Sequence, residues 1–204
     1  MRERTFSARL GCRYLLHAPG SLDPRTVLVA ALHGFGQNPE DMLRLTRHMV
    51  GPRHAIAAIE GPYAFFLGVG SDLVGHGWIT NRRPADSIRL HHEMVGHVLE
   101  EAGSELAIPA ERRVLLGFSQ AVSLNYRFAA AYPESVRGVA GICGAPAYSP
   151  RCCTSRAART SFTRPNARNN TRGVCVFDVM MWSSNCWKAG TVFLPAPAPF
   201  GRTG

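Results

Sequence analysis

RVLLGFSQAVSLNYRFAAAY, Arg113 to Tyr132, is the stretch from which the rest of the chain is read. Arg113 to Leu116 is a short, mainly apolar run of the kind that forms a buried parallel strand. Gln120 to Tyr132 is apolar on most sides, as a helix laid over a sheet should be. Between them, Gly117-Phe118-Ser119-Gln120-Ala121 places a serine at a sharp strand-to-helix bend. A serine hydroxyl is a weak nucleophile until it is held clear of the backbone, near a base and beside donors that stabilise an oxyanion. A tight elbow does the first of these, and its usual pattern is Gly-x-Ser-x-Gly. Here Ala121 stands at the last position, one methyl tighter than the pattern.

Upstream, Thr5 to His17 reads as a strand pair turning near Gly11, and Val27 to Leu32 as a second buried strand. That strand runs into His33-Gly34-Phe35-Gly36-Gln37. Taken alone, this is a glycine turn closing a strand. With a serine elbow downstream, it is also where backbone amides could supply an oxyanion donor. Asn38 is placed as an N-cap, Pro39 at the first helical position, and Glu40 and Asp41 at the positive end of the helix dipole. Met42, Leu45 and Met49 supply the inward stripe. His54 to Ile59 reads as a third strand. Tyr63 to Pro84 reads as a long glycine-rich loop carrying Phe65, Phe66, Leu67 and Trp78, either a pocket wall or an ordinary surface connection.

Asp86 is expected to cap a helix with the stripe Ile88, His92, Val95, Leu99 and Ala102. His92-Glu93 resembles the start of a zinc-binding H-E-x-x-H helix, but the next histidine, His97, is five positions on instead of four. The two imidazoles therefore diverge, and no metal site is expected. Val136 to Cys143 reads as another buried strand. Strands alternating with helices, and a nucleophile at a strand's carboxyl end, specify an α/β fold with a mainly parallel sheet covered on both faces.

The chain has 204 residues and 46% hydrophobic content, enough for one sizeable core. Its start is charged and no apolar run approaches a membrane span, so a cytoplasmic location is the expectation. The formal charge of +9 is uneven. Residues 151–204 hold seven arginines and Lys188 against Asp178 alone, a net of +7, which leaves +2 for the first 150. Four of the six cysteines, Cys152, Cys153, Cys175 and Cys186, also fall there, with no C-x-x-C spacing to suggest zinc and no disulfide framework.

In LHGFGQNPEDM (Leu32 to Met42), Trp78-Ile79-Thr80, HHEMV (His91 to Val95) and the run from Arg113 to Gly144, the chain resembles the α/β-hydrolase superfamily. Within it, the closest resemblance is to the phospholipase/carboxylesterase group, related to dienelactone hydrolases, and it covers nearly all of residues 1–146. The resemblance implies a serine esterase acting through an acyl-enzyme on a small-molecule ester, with no cofactor. Ser119 would be the nucleophile, and the N–H groups of Phe35 and Gln120 the oxyanion hole. Such enzymes place the triad acid and histidine after the serine. All eight histidines of this chain, His17 to His97, precede Ser119, and Asp178 is the sole aspartate after it. The chain as written is therefore expected to be an incomplete hydrolase core over 1–146, impaired in turnover and lacking its C-terminal strands.

Residues 147–204 are expected to be a basic, poorly ordered tail read out of frame. Reading from each codon's third base, Met180-Met181-Trp182 forces Asp-Val, and Asn185-Cys186-Trp187-Lys188 forces Leu-Leu-Glu. With codons otherwise free, Met180 to Leu194 can encode DVEFQLLEGGHRFP, which resembles the family's last strand and histidine turn. Arg151 to Asn166 can likewise encode VLHIARREDEFYPPE, similar to the strand that bears the acid. The alternative is a non-catalytic binding protein whose basic tail contacts nucleic acid or another polyanion. A tail with little stacking surface and no recognisable module makes nucleic acid the less favoured partner. Loss of the last strands is expected to leave the Val136 to Cys143 strand as an exposed sheet edge.

Overall fold

The computed structural model describes residues 1–6, 8–145 and the backbone of 175–179. In chain order its elements are β1 (Tyr14–His17), β2 (Leu28–Leu32), α1 (Pro39–Val50), β3 (Ala55–Ile59), β4 (Tyr63–Phe66), β5 (Val74–Gly77), α2 (Pro84–Glu105), β6 (Arg113–Phe118), α3 (Gln120–Ala131), β7 (Gly138–Ile142) and β8 (Cys175–Val179). Six strands form one sheet in the order β1-β3-β2-β6-β7-β8. All pairs are parallel except β1 with β3.

β2 and β3 are buried at every position, which is why they read as unbroken apolar runs instead of alternating ones. Val29, Ala31, Ile56 and Leu116 face α1 through Met42, with Leu45 and Met49 at the margin. The opposite face, with Leu28, Ala30, Leu32 and Leu115, packs on α2 and α3 through Val95, Leu99, Leu124 and Phe128. α1 begins as its sequence dictates: Asn38 accepts a hydrogen bond from the Asp41 amide at 2.8 Å, and Pro39 follows it.

This topology places a crevice. The chain leaves β2 for α1 on one face, and leaves β6 for α3 on the other, although β2 and β6 are neighbours. Their following loops diverge beyond the sheet at their carboxyl ends, as at the switch points of open α/β sheets.

Several expectations need correction. Among the described residues before β1, none forms a strand with it, and its partner is β3. Tyr63 to Gly77 is a β4–β5 hairpin instead of a loop, and His76 bridges to Gln37. α2 starts at Pro84, behind a left-handed Arg83, because proline's fixed φ suits the first helical position; Asp86 lies inside the first turn and pairs with Arg83 at 2.7 Å. Val95, Leu99 and Ala102 are buried as expected, but in the first turns the buried positions are Ser87 and His91, with Ile88 partly buried and His92 at the margin against Phe128 and Tyr132. His97 is on the solvent side, paired with Glu101. β7 is not the sheet edge, because β8 pairs with it in parallel register from Gly138↔Cys175 to Ile142↔Val179. The rest of the expected out-of-frame tail, and the two stretches on which that reading rests, lie outside the described residues.

One buried charge braces the lower end of the sheet. Arg113 is nearly enclosed; its Nε donates to the Ile108 carbonyl at 2.9 Å, and its guanidinium pairs with Glu100. It lies flat against α2 at Gly103, where any Cβ would collide with it.

Candidate active site

Ser119 follows β6 with φ 51° and ψ −109°, a conformation L-residues rarely adopt. Its side chain is exposed, and its amide is anchored to the Ile142 carbonyl of β7 at 2.8 Å. The close strand–helix approach explains Gly117: a Cβ there would lie 2.9 Å from Asn125 Nδ2 and 3.1 Å from the Val122 backbone. Ala121, the departure from the elbow pattern, is fully buried in the α2–α3 core, so its methyl fills space on the inner side of the turn.

β2 and β6 are in register with Leu32 opposite Gly117, so the loop from His33 to Gln37 emerges beside the elbow. Nearly every polar group of that loop is committed. His33 Nε2 accepts from the Gly61 amide at 2.9 Å, which leaves the proton on Nδ1, and Nδ1–H donates to the Gly34 carbonyl at 2.7 Å. Burial pushes the His33 imidazole below its ordinary range, so it is held neutral, as this tautomer requires. The Gly34 amide donates to Gln37 Oε1 at 2.7 Å, and the Gln37 amide to the Gly34 carbonyl at 3.2 Å. The Gly36 amide donates to the His76 carbonyl at 2.8 Å, and the His76 amide to the Gln37 carbonyl at 3.0 Å. The Phe35 amide has no acceptor among the described residues. At the elbow the amides of Ser119 and Val122 are used, and that of Gln120, at the first helical position, is not. A Cβ at Gly77 would meet both the Phe35 ring, at 3.3 Å, and Gln120 Oε1, at 3.6 Å, which shows how near these two residues lie.

Trp78 joins the two loops. Its Nε1–H donates to the His33 carbonyl at 2.8 Å, and its backbone N–H donates to Gln120 Oε1, also at 2.8 Å. The rim is apolar: Phe35 is 63% exposed and stacks on Phe65 at 4.7 Å, and Phe66, Leu67 and Leu73 of the hairpin are exposed too.

The histidines do not supply a base in the described residues. No imidazole is hydrogen-bonded to Ser119 Oγ. Both nitrogens of His33 are occupied. His76 Nδ1 faces the Gly61 carbonyl at 3.0 Å, and its Nε2 faces Glu60 at 3.7 Å. His54 Nδ1 accepts from the Val27 amide at 3.2 Å. His91 is fully buried, its pKa lowered from 6.5 to about 3 by burial first and His92 second. Asp178 lies in β8 opposite Gly141. No cluster of metal-ligating side chains occurs among the described residues. Sequence reasoning missed the roles of the Gln120 side chain, the Trp78 indole and His33. Trp78 stood out only through resemblance, and the other two carry no pattern a linear reading can detect.

No family model and no curated protein matches the chain. Solved structures do match. A carboxylesterase of Bacillus cereus superposes with a TM-score of 0.54 at 13% identity, over 68% of this chain and 63% of that one. A carboxylesterase from Mesorhizobium loti gives 0.54 at 21% identity, over 70% and 65%. Esterase PE8 gives 0.50 at 18% identity, over 68% and 66%. The chain has the α/β-hydrolase fold. It spans slightly under two thirds of the length of each of these esterases.

Proposed function

We propose that this protein is built as a serine hydrolase of carboxylic esters, of the phospholipase/carboxylesterase type, with Ser119 as nucleophile and the Phe35 and Gln120 amides as the oxyanion hole. The observation that carries this reading is that the Phe35 and Gln120 amides, on the two loops that leave β2 and β6 as neighbours, have no acceptor among the described residues, and that the serine preceding Gln120 is held at positive φ. Ser119 Oγ would attack the ester carbonyl, the carbonyl electrons would move onto the oxygen facing those amides, and the alcohol would leave as the tetrahedral species collapses to an acyl-serine. Water would then release the acid by the same route.

Each step needs a proton acceptor, and no histidine follows Ser119 in these 204 residues. Turnover by the chain as written is accordingly confined to what the oxyanion hole and binding supply, on the order of a thousand-fold over water. The out-of-frame reading of 147–204 accounts for the missing acid and base. The test is p-nitrophenyl acetate hydrolysis by this chain, by a chain with the frame restored after Gly144, and by the restored chain carrying Ser119→Ala. The expected order is the restored chain well above the parent, and its Ser119→Ala variant no faster than the parent. Equal rates for the restored chain and its Ser119→Ala variant would overturn the nucleophile; equal rates for parent and restored chains would overturn the lesion.

A further inference from the structure

We propose that Trp78 is a positioning residue that fixes the separation of the two oxyanion donors. The proposal rests on the ester-hydrolase reading of the site and goes further, because it assigns a role to a residue outside the serine and its two amides.

The fold creates the need. The β2–β6 ladder sets the spacing of the two chains as far as Leu32 and Gly117. Beyond that point the chains part to opposite faces of the sheet, and the donors lie on the diverging segments, at Phe35 and Gln120. No hydrogen bond among the described residues joins the 33–37 loop directly to the elbow. Trp78 comes from a third place, immediately after β5, and is bonded to both. Its indole N–H holds the His33 carbonyl, two residues before one donor. Its backbone N–H holds the side chain of Gln120, the residue that carries the other. Gln120 Nε2 adds a longer bond to the Ile79 carbonyl at 3.4 Å, which orients the amide so that Oε1 faces Trp78.

The clamp is stiff. Trp78 is fully buried, so water does not compete for the indole bond, and the indole is set against His33 at 5.2 Å and edge-on to His91 at 5.5 Å. Core filling alone would be met by any large ring, whereas the bond to the His33 carbonyl requires the indole N–H; the bond to Gln120 comes from the backbone and depends on where the buried ring holds that backbone. Donors aimed in advance at a developing oxyanion act on the transition state and little on the bound ester, so loosening them lowers kcat and leaves KM unchanged.

Two readouts test this on the full chain. In the first, hydrogen exchange of the Trp78 indole N–H is followed by nitrogen-15 NMR, the resonance being assigned by its loss in Trp78→Phe. Gln120→Met cuts the elbow end and leaves the indole bond chemically intact. If the two ends act as one clamp, exchange of the indole proton quickens about tenfold, one hydrogen bond's worth. Unchanged exchange would overturn the clamp. In the second, Trp78→Phe keeps a ring in the core and removes the indole donor. The expected result on p-nitrophenyl acetate is a roughly tenfold fall in kcat with KM held. A raised KM with kcat held would overturn the assignment. Ser119→Ala in a chain with the frame restored after Gly144 keeps the two ideas apart, because equal rates with and without that serine reject the hydrolase reading, while the exchange experiment decides the clamp without any turnover.

Discussion

Acidification should unfold this protein through His91 well before its carboxylates are fully protonated. The imidazole is completely enclosed between Trp78, His92 and α3, with the Asn125 side chain of α3 as a polar neighbour; that contact favours the charged form but is outweighed by burial. Burial lowers its pKa from 6.5 to about 3. In the unfolded chain the same group binds a proton below its ordinary value, so between these limits the unfolded state holds one proton more than the folded one. Stability therefore falls as pH drops through 6.5 and levels off near 3. Taking the pH from 8 to 4.5 engages about two units of that window, at about 1.4 kcal/mol per unit, or about 2.7 kcal/mol from this one side chain. His33, His54 and His92 are lowered by burial and act in the same direction, as does the lowered Glu40 carboxyl. A comparison with His91→Leu removes those shared contributions. Urea unfolding of both proteins at pH 8 and pH 4.5 should show the parent losing about 2.7 kcal/mol more than the variant. Any difference between the two proteins at pH 8, where the variant gains an apolar side chain but leaves the buried Asn125 amide beside it, cancels when the two losses are compared. Equal losses in the two proteins would refute the reasoning.

Three further changes probe the frame of the site. Ser119→Gly relieves a positive φ that disfavours any side chain, so it should raise the denaturation midpoint, by about 1 to 3 kcal/mol in stability, and in the frame-restored chain it should cut ester hydrolysis to the parent's level. Gly117→Ala forces a methyl against Asn125 and the Val122 backbone; thermal melts should show a loss of about 1 to 3 kcal/mol. Asn38→Ala removes the cap on the Asp41 amide at the start of α1 and should cost about 1 kcal/mol by the same measurement, with no change in ester hydrolysis.

The fold was legible wherever one local rule dominates. β2, β3, β6 and β7 are short apolar runs because both of their faces are covered, and α1 announces itself through Asn38-Pro39-Glu40-Asp41. The hairpin from Tyr63 to Gly77 was hidden by its glycines, which read as loop but serve close approach: a Cβ at Gly75 would lie 2.6 Å from the Gly36 carbonyl. In α2 the stripe was right at Val95, Leu99 and Ala102 and one position off at its start, because His91 and His92 are chemically identical and only the neighbouring Trp78 and Phe128 decide which faces inward. Ser119 could be singled out because an elbow has a linear signature. The commitments of His33, Trp78 and Gln120 could not, since they are made between residues 28 to 45 positions apart.

The way Arg113 rests on α2 bears on any effort to make this protein more heat-tolerant. Helical glycines are the usual first targets for replacement by alanine, and α2 offers two of them, one heptad apart. At Gly96 the added methyl would sit 3.9 Å from Phe128, an ordinary contact, so the change should stabilise by about 1 kcal/mol. At Gly103 the same change would drive a methyl into the Arg113 guanidinium, which would have to give up its bond to the Ile108 carbonyl and shift its charge. Sites that a propensity scale ranks as equal would thus respond with opposite sign, and a consensus-free design protocol should leave the second one untouched.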